Sequence, residues 1–158
     1  DMGIEIERKF LVSGDGWRGQ AHKSTRLRQG YLSTDSMRNV RVRIKGDRAL
    51  LTVKGKMEAD SFVKRLEFEY DIPMDDALEL LKLCLDSPID KTRHEVHRGG
   101  HLWEVDEFYG QNEGLIVAEI ELESVDTAFE RPEWIGEEVS DDARYLNSNL
   151  VARPYSTW

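Results

Sequence analysis

Glu5, Glu7 and Lys9 recur at every second position near the start of the sequence, and Glu119, Glu121 and Glu123 do the same near its end. Between them lie Arg41, Arg43 and Lys45, then Lys54, then Arg65, Glu67 and Glu69, then the pairs Lys91 with Arg93 and Glu104 with Asp106. Carboxylates in such numbers suit a hard divalent cation, because Mg²⁺ takes oxygen ligands in octahedral geometry and keeps some of its waters. Arginine offers planar, forked donors to phosphate oxygens, and lysine offers a compact positive charge. Both sets together, with no phosphate loop of the GxxxxGK type, point to a metal–polyphosphate complex held by side chains.

A spacing of two places such residues on one face of a β-strand. Ile4, Ile6 and Phe10 then fall on the face opposite Glu5, Glu7 and Lys9; Val40, Val42 and Ile44 oppose the Arg41 row. Leu66, Phe68 and Tyr70 oppose the Arg65 row, and Ala118, Ile120 and Leu122 oppose the Glu119 row. An ordinary antiparallel sheet with one wet face explains any single strand of this kind. It explains the set less well. These faces are nearly all ionised, and they segregate by sign within a strand although like charges two residues apart repel. Rows of that kind suit a site where a cation and an anion offset them.

Period-two segments cover residues 4–12, 25–33, 39–45, 49–54, 62–72, 91–97, 102–108 and 115–123, about eight strands. Gly46-Asp47, Gly55, Gly99-Gly100 and the stretch from Gly110 to Gly114 supply turns between them. Residues 73–85 read as a helix: Pro73 suits its start, Asp75 and Asp76 its first turn, and Ala77, Leu78, Leu80, Leu81 and Leu85 form an apolar stripe, with Pro88 as a stop. Residues 141–151 form a second helical candidate with Asp141 as cap, placed to plug one end of a barrel, and residues 14–23 hold a short helix. The fold class is therefore mainly β (α+β): an antiparallel eight-stranded tunnel barrel, about eight strands enclosing a polar, charged lumen of small-ligand size, with a few helices packed outside. Glu5, Glu7, Glu119 and Glu121 converge if the first and last strands lie close.

The 158 residues suit a single domain spanning 1–158. Charged residues make up 34%, above the usual quarter or so, and the net charge is −9. That balance argues against nonspecific binding to nucleic acid or to an acidic membrane, while leaving room for a small anion in a locally basic pocket. The lone cysteine, Cys84, sits between Leu83 and Leu85 and reads as a core thiol. With no signal peptide and no membrane-length apolar run, a cytoplasmic location is expected. His94 and His97 face opposite ways on a strand and make no metal site; the four tryptophans are scattered and read as packing residues. A homodimer is compatible with all of this.

Glu5-Ile6-Glu7-Arg8-Lys9 resembles the ExExK signature of the CYTH, or triphosphate tunnel metalloenzyme, superfamily. The ordered set behind it carries the resemblance further: Gln29-Gly30-Tyr31-Leu32, Arg41-Val42-Arg43, Thr52-Val53-Lys54-Gly55, Arg65-x-Glu67-x-Glu69, Lys91-x-Arg93, Val105-Asp106-x-Phe108, the run from Ala118 to Glu123, and Arg144-Tyr145-Leu146-Asn147. It implies a tunnel barrel and hydrolysis of a triphosphate that depends on Mg²⁺ or Mn²⁺, as in small bacterial inorganic triphosphatases. Glu5, Glu7, Glu119 and Glu121 would be metal ligands, with Asp106, Glu67 and Glu69 supporting a second metal or its waters. Lys9, Arg41, Arg43, Lys54, Arg65, Lys91 and Arg93 would hold phosphates. In-line attack by water follows, with Lys9, Glu69 and Asp106 as the candidate catalytic groups. Lys9 reads first as a phosphate contact, with a structural partner for the glutamates or a base as the alternatives, and the water is oriented either by a second metal or by a carboxylate such as Glu69. A class IV adenylyl cyclase or a thiamine triphosphatase of the same fold, and a polyphosphate-binding module without turnover, are the alternatives.

Overall fold

The computed structural model of the chain describes residues 6–35, 37–56, 65–124 and 126–158. Its strands are β1 (Ile6–Val12), β2 (Lys23–Ser33), β3 (Asn39–Lys45), β4 (Arg48–Lys56), β5 (Arg65–Asp71), β6 (Ile89–Arg98), β7 (His101–Phe108), β8 (Ile116–Leu122) and β9 (Ile135–Glu138). Two α-helices join them, α1 (Met74–Leu83) and α2 (Asn147–Ala152). The strands form one nine-stranded antiparallel sheet in the order β5-β4-β3-β2-β6-β7-β8-β1-β9. β2 to β5 lie beside one another in sequence order, α1 then leads from edge strand β5 back to β6 beside β2, β6 to β8 again lie in sequence order, and β1 is inserted between β8 and β9.

The expected eight-stranded barrel is thus a nine-stranded sheet, and among the described residues its edge strands β5 and β9 do not pair to close it. The additional strand is four residues long and contains Gly136, too little for a period-two signal. It is held to β1 by a forked ion pair in which Arg8 Nε and Nη2 donate to Glu138 at 2.9 and 2.6 Å. The Arg8 hydrogen bonds hold the Glu138 carboxyl down at about 2. Alternation predicts which face a residue takes; it does not predict which strands lie at the edges.

The outer face carries two apolar clusters. Phe10, Val96, Trp103, Val105, Ala118, Ile120 and Leu122 are buried there beneath Trp17 and Trp134, from the segments before β2 and before β9. Val42, Ile44 and Ala49 are covered by Ala77 and Leu81 of α1. That helix begins at Pro73, with Asp75 and Asp76 in its first turn, as expected. Its stripe is narrower than expected, since Leu78 and Leu85 stay exposed: a helix lying across a curved sheet touches it along one line.

A third cluster lies on the inner face and corrects the expectation of a polar lumen throughout. Tyr31, Ile89, Phe108, Leu115 and Val117 pack there against Val139, Tyr145, Leu150 and Val151. The C-terminal segment plugs this end of the curl, as the position of its helical stretch suggests. The single helix expected over 141–151 is instead a 3-10 turn at Ala143–Tyr145 followed, after extended Leu146, by α2. Asp142, rather than Asp141, caps the turn by accepting from the Arg144 backbone N–H at 3.1 Å. Between residues 14 and 23 only a 3-10 turn, Arg18–Gln20, forms.

Gly30 explains part of the Gln29-Gly30-Tyr31-Leu32 motif. It lies on the outer face opposite Val42, and a Cβ built on it would sit 2.7 Å from Cys84 Sγ and 2.8 Å from Cys84 Cβ. Glycine therefore lets the end of α1 approach β2 while Gln29 and Tyr31 face inward. Gly30→Ala should destabilise the fold by about 1–3 kcal/mol through overpacking, read as a lower urea midpoint. Cys84→Ala should return part of that loss in the double variant; a Gly30→Ala variant as stable as the parent would refute the close approach.

Candidate active site

Above the apolar plug the inner face encloses a cavity of about 350 Å³. Its lining runs from Lys54 on β4 to Glu7 on β1, so the sheet curls far enough to bring distant strands around one space. Cations predominate on β3, β4 and β6 and carboxylates on β7, β8 and β1, with Lys9 of β1 as a cation among the carboxylates.

The basic wall consists of Arg41 and Arg43 on β3, Lys54 on β4 and Arg93 on β6. Register brings them together: Arg43 stands opposite Gln29, Arg41 opposite Thr52 and Lys54 opposite Asn39. Arg43 Nε donates to Gln29 Oε1 at 2.9 Å, a neutral acceptor that orients the guanidinium without cancelling its charge. Burial, then repulsion from Arg41 and Arg93, pulls Arg43 down to about 10. Arg41 Nε is buried with no hydrogen-bond partner among the described residues. Cations crowded together with an unmet donor are a preformed receptor for an anion.

The acidic wall is built by direct cross-strand opposition. Glu7 faces Glu121, and Lys9 faces Glu119, across the β1–β8 pair; Glu104 faces Glu119 across β7–β8. Lys9 Nζ lies 3.3 Å from Glu119 and Arg93 Nη1 3.4 Å from Glu104. Glu7 is pushed above its usual value, by burial first and then by Glu119. Carboxylates placed opposite one another repel, and a divalent cation is the ordinary remedy. The donor set is all oxygen, which fits Mg²⁺ or Mn²⁺ rather than a thiophilic metal. Among the described residues no three acidic or imidazole groups gather into a ready-made shell. Glu5, which the sequence adds to this wall, lies outside the described residues.

Behind the basic wall sits a buried charge network. Lys91 has no exposed side-chain surface; its Nζ donates to Asp106 Oδ2 at 2.8 Å and to Asn147 Oδ1 at 3.0 Å. Arg93 forks onto the same carboxylate, Nε and Nη2 each at 2.9 Å. Burial works against the Asp106 anion, yet Lys91 and Arg93 outweigh it and hold the carboxyl at about 2. One carboxylate cannot fully compensate two cations, and burial leaves Lys91 the weaker of them, drawn down to about 8.

The cavity thus gathers Glu7, Lys9, Arg41, Arg43, Lys54, Arg93, Glu119 and Glu121 from the expected set. Lys91 and Asp106 stand behind the lining, joined to one another, with both Asp106 oxygens engaged. Glu67 and Glu69 sit on edge strand β5, 53% and 44% exposed, and are not among the lining residues; they lie 4.0 Å from Lys54 and from Arg41 respectively. Glu69 also accepts from Thr52 Oγ1 at 3.0 Å. Of Arg65, the strand position opposite Lys56 is described. Tyr31, Asn39, Glu104, Leu146, Asn147 and Ser148 complete the lining without having been assigned a role from sequence. Asn39 and Glu104 shared a strand face with assigned residues and were detectable by that signal. Asn147 lies outside the strand alternation, and the sequence singles it out only as part of the Arg144-Tyr145-Leu146-Asn147 motif.

A family model described as the CYTH domain matches residues 3–155. An inorganic triphosphatase of Acetivibrio thermocellus is 49% identical over 158 residues, covering 99% of each chain. Another inorganic triphosphatase, from Nitrosomonas europaea, is 37% identical over 152 residues, covering 93% of this chain and 96% of its own. The crystal structure of the inorganic triphosphatase NE1496 superposes with a TM-score of 0.72 at 36% identity, covering 93% of both chains. Among the described residues no helix is long and apolar enough to cross a membrane.

Asp106→Asn would leave buried Lys91 and Arg93 without their shared anion, a loss of about 3–5 kcal/mol. Because the Asp106 pKa is lowered from 3.8 to about 2, the stabilisation it supplies is complete above the ordinary carboxylate value and disappears as pH falls through about 2. Urea titrations across that range should show the variant less stable at neutral pH and lacking this part of the acid-sensitive limb. Equal stability of the two proteins at pH 7 would exclude the network as a support of the wall.

Proposed function

The chain belongs to the CYTH domain family, and on that premise we propose that its cavity binds inorganic tripolyphosphate and hydrolyses it to pyrophosphate and phosphate. The observation that carries this reading is the pairing of two opposed walls in one cavity of about 350 Å³, each crowded with its own sign. A polyanion relieves the basic wall and a divalent cation the acidic one.

Glu7, Glu119 and Glu121, with Glu5, would hold Mg²⁺ or Mn²⁺. Such an ion would supply Lewis-acid polarisation of phosphate oxygens and charge stabilisation. The protein's own groups do the rest. Arg41, Arg43, Lys54 and Arg93 grip the phosphate chain and hold its terminal phosphorus for in-line attack by water, and their charge offsets that of the departing pyrophosphate. Lys9, 3.3 Å from Glu119, stands where the walls meet and is best read as a phosphate contact. Asp106 serves in this reading as the anion that fixes Lys91 and Arg93, in place of a direct metal role. Glu67 and Glu69 belong to the rim, where they can orient waters or a second ion.

The lining favours tripolyphosphate over a nucleotide or a thiamine ester. Among the described residues Leu146 and Tyr31 are its sole aliphatic and aromatic members, which leaves little for a base or thiazolium ring to stack on. The breadth of the carboxylate wall also exceeds what a binding module without turnover needs.

Phosphate release should be measured with tripolyphosphate, ATP and thiamine triphosphate, each with Mg²⁺ and with Mn²⁺. Tripolyphosphate should be the best substrate; cyclic AMP with pyrophosphate from ATP would shift the assignment to a cyclase. Glu7→Gln and Glu121→Gln should each lower kcat by about 10²-fold or more. Glu7→Gln should keep or raise the melting temperature, because the native site already disfavours the Glu7 charge. Undiminished activity in both variants would remove the metal assignment. Arg41→Ala should raise KM for tripolyphosphate by about tenfold, and unchanged kinetics would make the basic wall mere solvated surface.

A further inference from the structure

Among the described residues, Asn147 is the one side chain from outside the sheet that joins the charge network behind the basic wall. A buried ammonium needs acceptors for its N–H groups. Lys91 finds them in Asp106 at 2.8 Å and in the Asn147 carboxamide at 3.0 Å. Lysine only donates, so the Asn147 oxygen must face it and the amide N–H₂ must occupy the other branch. Asn147 itself lines the cavity, together with its neighbours Leu146 and Ser148. Its backbone is fixed on both sides: Tyr145, Leu150 and Val151 are buried against the inner face, and Asn149 Nδ2 donates to the Ala143 carbonyl at 2.7 Å.

We propose that Asn147 is a positioning residue for triphosphate hydrolysis: it fixes Lys91, through Lys91 it aligns Asp106, and through Asp106 it sets the Arg93 guanidinium in the cavity. This rests on the functional reading above. A neutral acceptor is the fitting choice. A carboxylate at this place would tie Lys91 equally well but would add an anion behind a wall that must attract phosphate. An apolar residue would release Lys91 to swing away with Asp106, and Arg93 would lose its fixed place.

Two variants separate these effects. Asn147→Ala should lower kcat by about 10- to 100-fold, the loss expected when a contact group is misplaced by roughly 1 Å, with KM altered less. Asn147→Asp keeps an oxygen toward Lys91 and should retain most of kcat, while KM for tripolyphosphate rises several-fold. A merely structural residue would instead lose kcat and thermal stability in parallel in both variants, and that outcome overturns the proposal, as do wild-type kinetics in Asn147→Ala. Crystal structures of the ligand-free parent and Asn147→Ala supply an arm that needs no turnover. Displacement of Lys91 Nζ and the Arg93 guanidinium supports the proposal, and their staying in place refutes it. If the parent releases no phosphate from tripolyphosphate, the functional reading fails, and the crystallographic comparison still decides what Asn147 holds.

Discussion

Like charges held close together inside a curled sheet are the constraint on which this molecule turns. Glu7 against Glu121 and Glu104 against Glu119 repel across single strand pairs, and Arg41, Arg43 and Arg93 repel around the opposite wall. No fold adopts such an arrangement for its own stability. The repulsion is tolerated because backbone hydrogen bonds and apolar packing elsewhere fix each strand, and it becomes useful when ligands of opposite sign arrive. Such a site is prepared before binding, in the sense that its charges need little reorganisation to receive a polyanion and a cation.

The apolar core is consequently displaced from its usual place. In a filled barrel the interior is packed and the exterior is wet; here two of the three clusters lie outside, under Trp17 and Trp134 and under α1. The third stops the inner face at one end, where the C-terminal segment replaces polar lining with Tyr31, Phe108 and Val117 packed against Leu150 and Val151. The buried network of Lys91, Asp106 and Arg93 sits at the transition between plug and cavity. It allows cations to stand beside an apolar floor, since Asp106 supplies the compensating charge that water cannot.

Among the described residues, the face that a charged side chain takes was legible from alternation alone, because a strand has only two faces. Arg41 and Arg43 face inward for that reason, and so do Glu119 and Glu121 in their strand. What alternation could not convey was depth. Lys91 and Arg93 share a face, yet Lys91 is wholly buried behind the lining and Arg93 reaches it. Asp106 likewise carries the composition of a metal ligand but spends its oxygens on two cations. Edge and centre were equally hidden: Glu67 and Glu69 look like Glu119 and Glu121 in sequence, and their strand ends at the border of the sheet. The small β9 depends on a contact between distant segments, and so does the Asn147 hydrogen bond to Lys91, although Asn147 itself stands in the Arg144-Tyr145-Leu146-Asn147 motif.

The placement of β1 between β8 and β9 has a bearing on how the chain assembles. Glu7 enters the cavity from near one terminus and Asn147 from near the other, so the pocket is incomplete until the last described strand and the plug have docked. The β2–β3, β3–β4, β4–β5, β6–β7 and β7–β8 pairs join neighbours in sequence, whereas β6 must reach back to β2 and β1 must wait for a partner more than a hundred residues away. Contacts of such span slow folding, and Phe10 of β1 gains its buried neighbours Trp103, Ala118 and Ile120 only through them. The cavity is therefore completed by pairings between distant segments, and no single hairpin carries both of its walls.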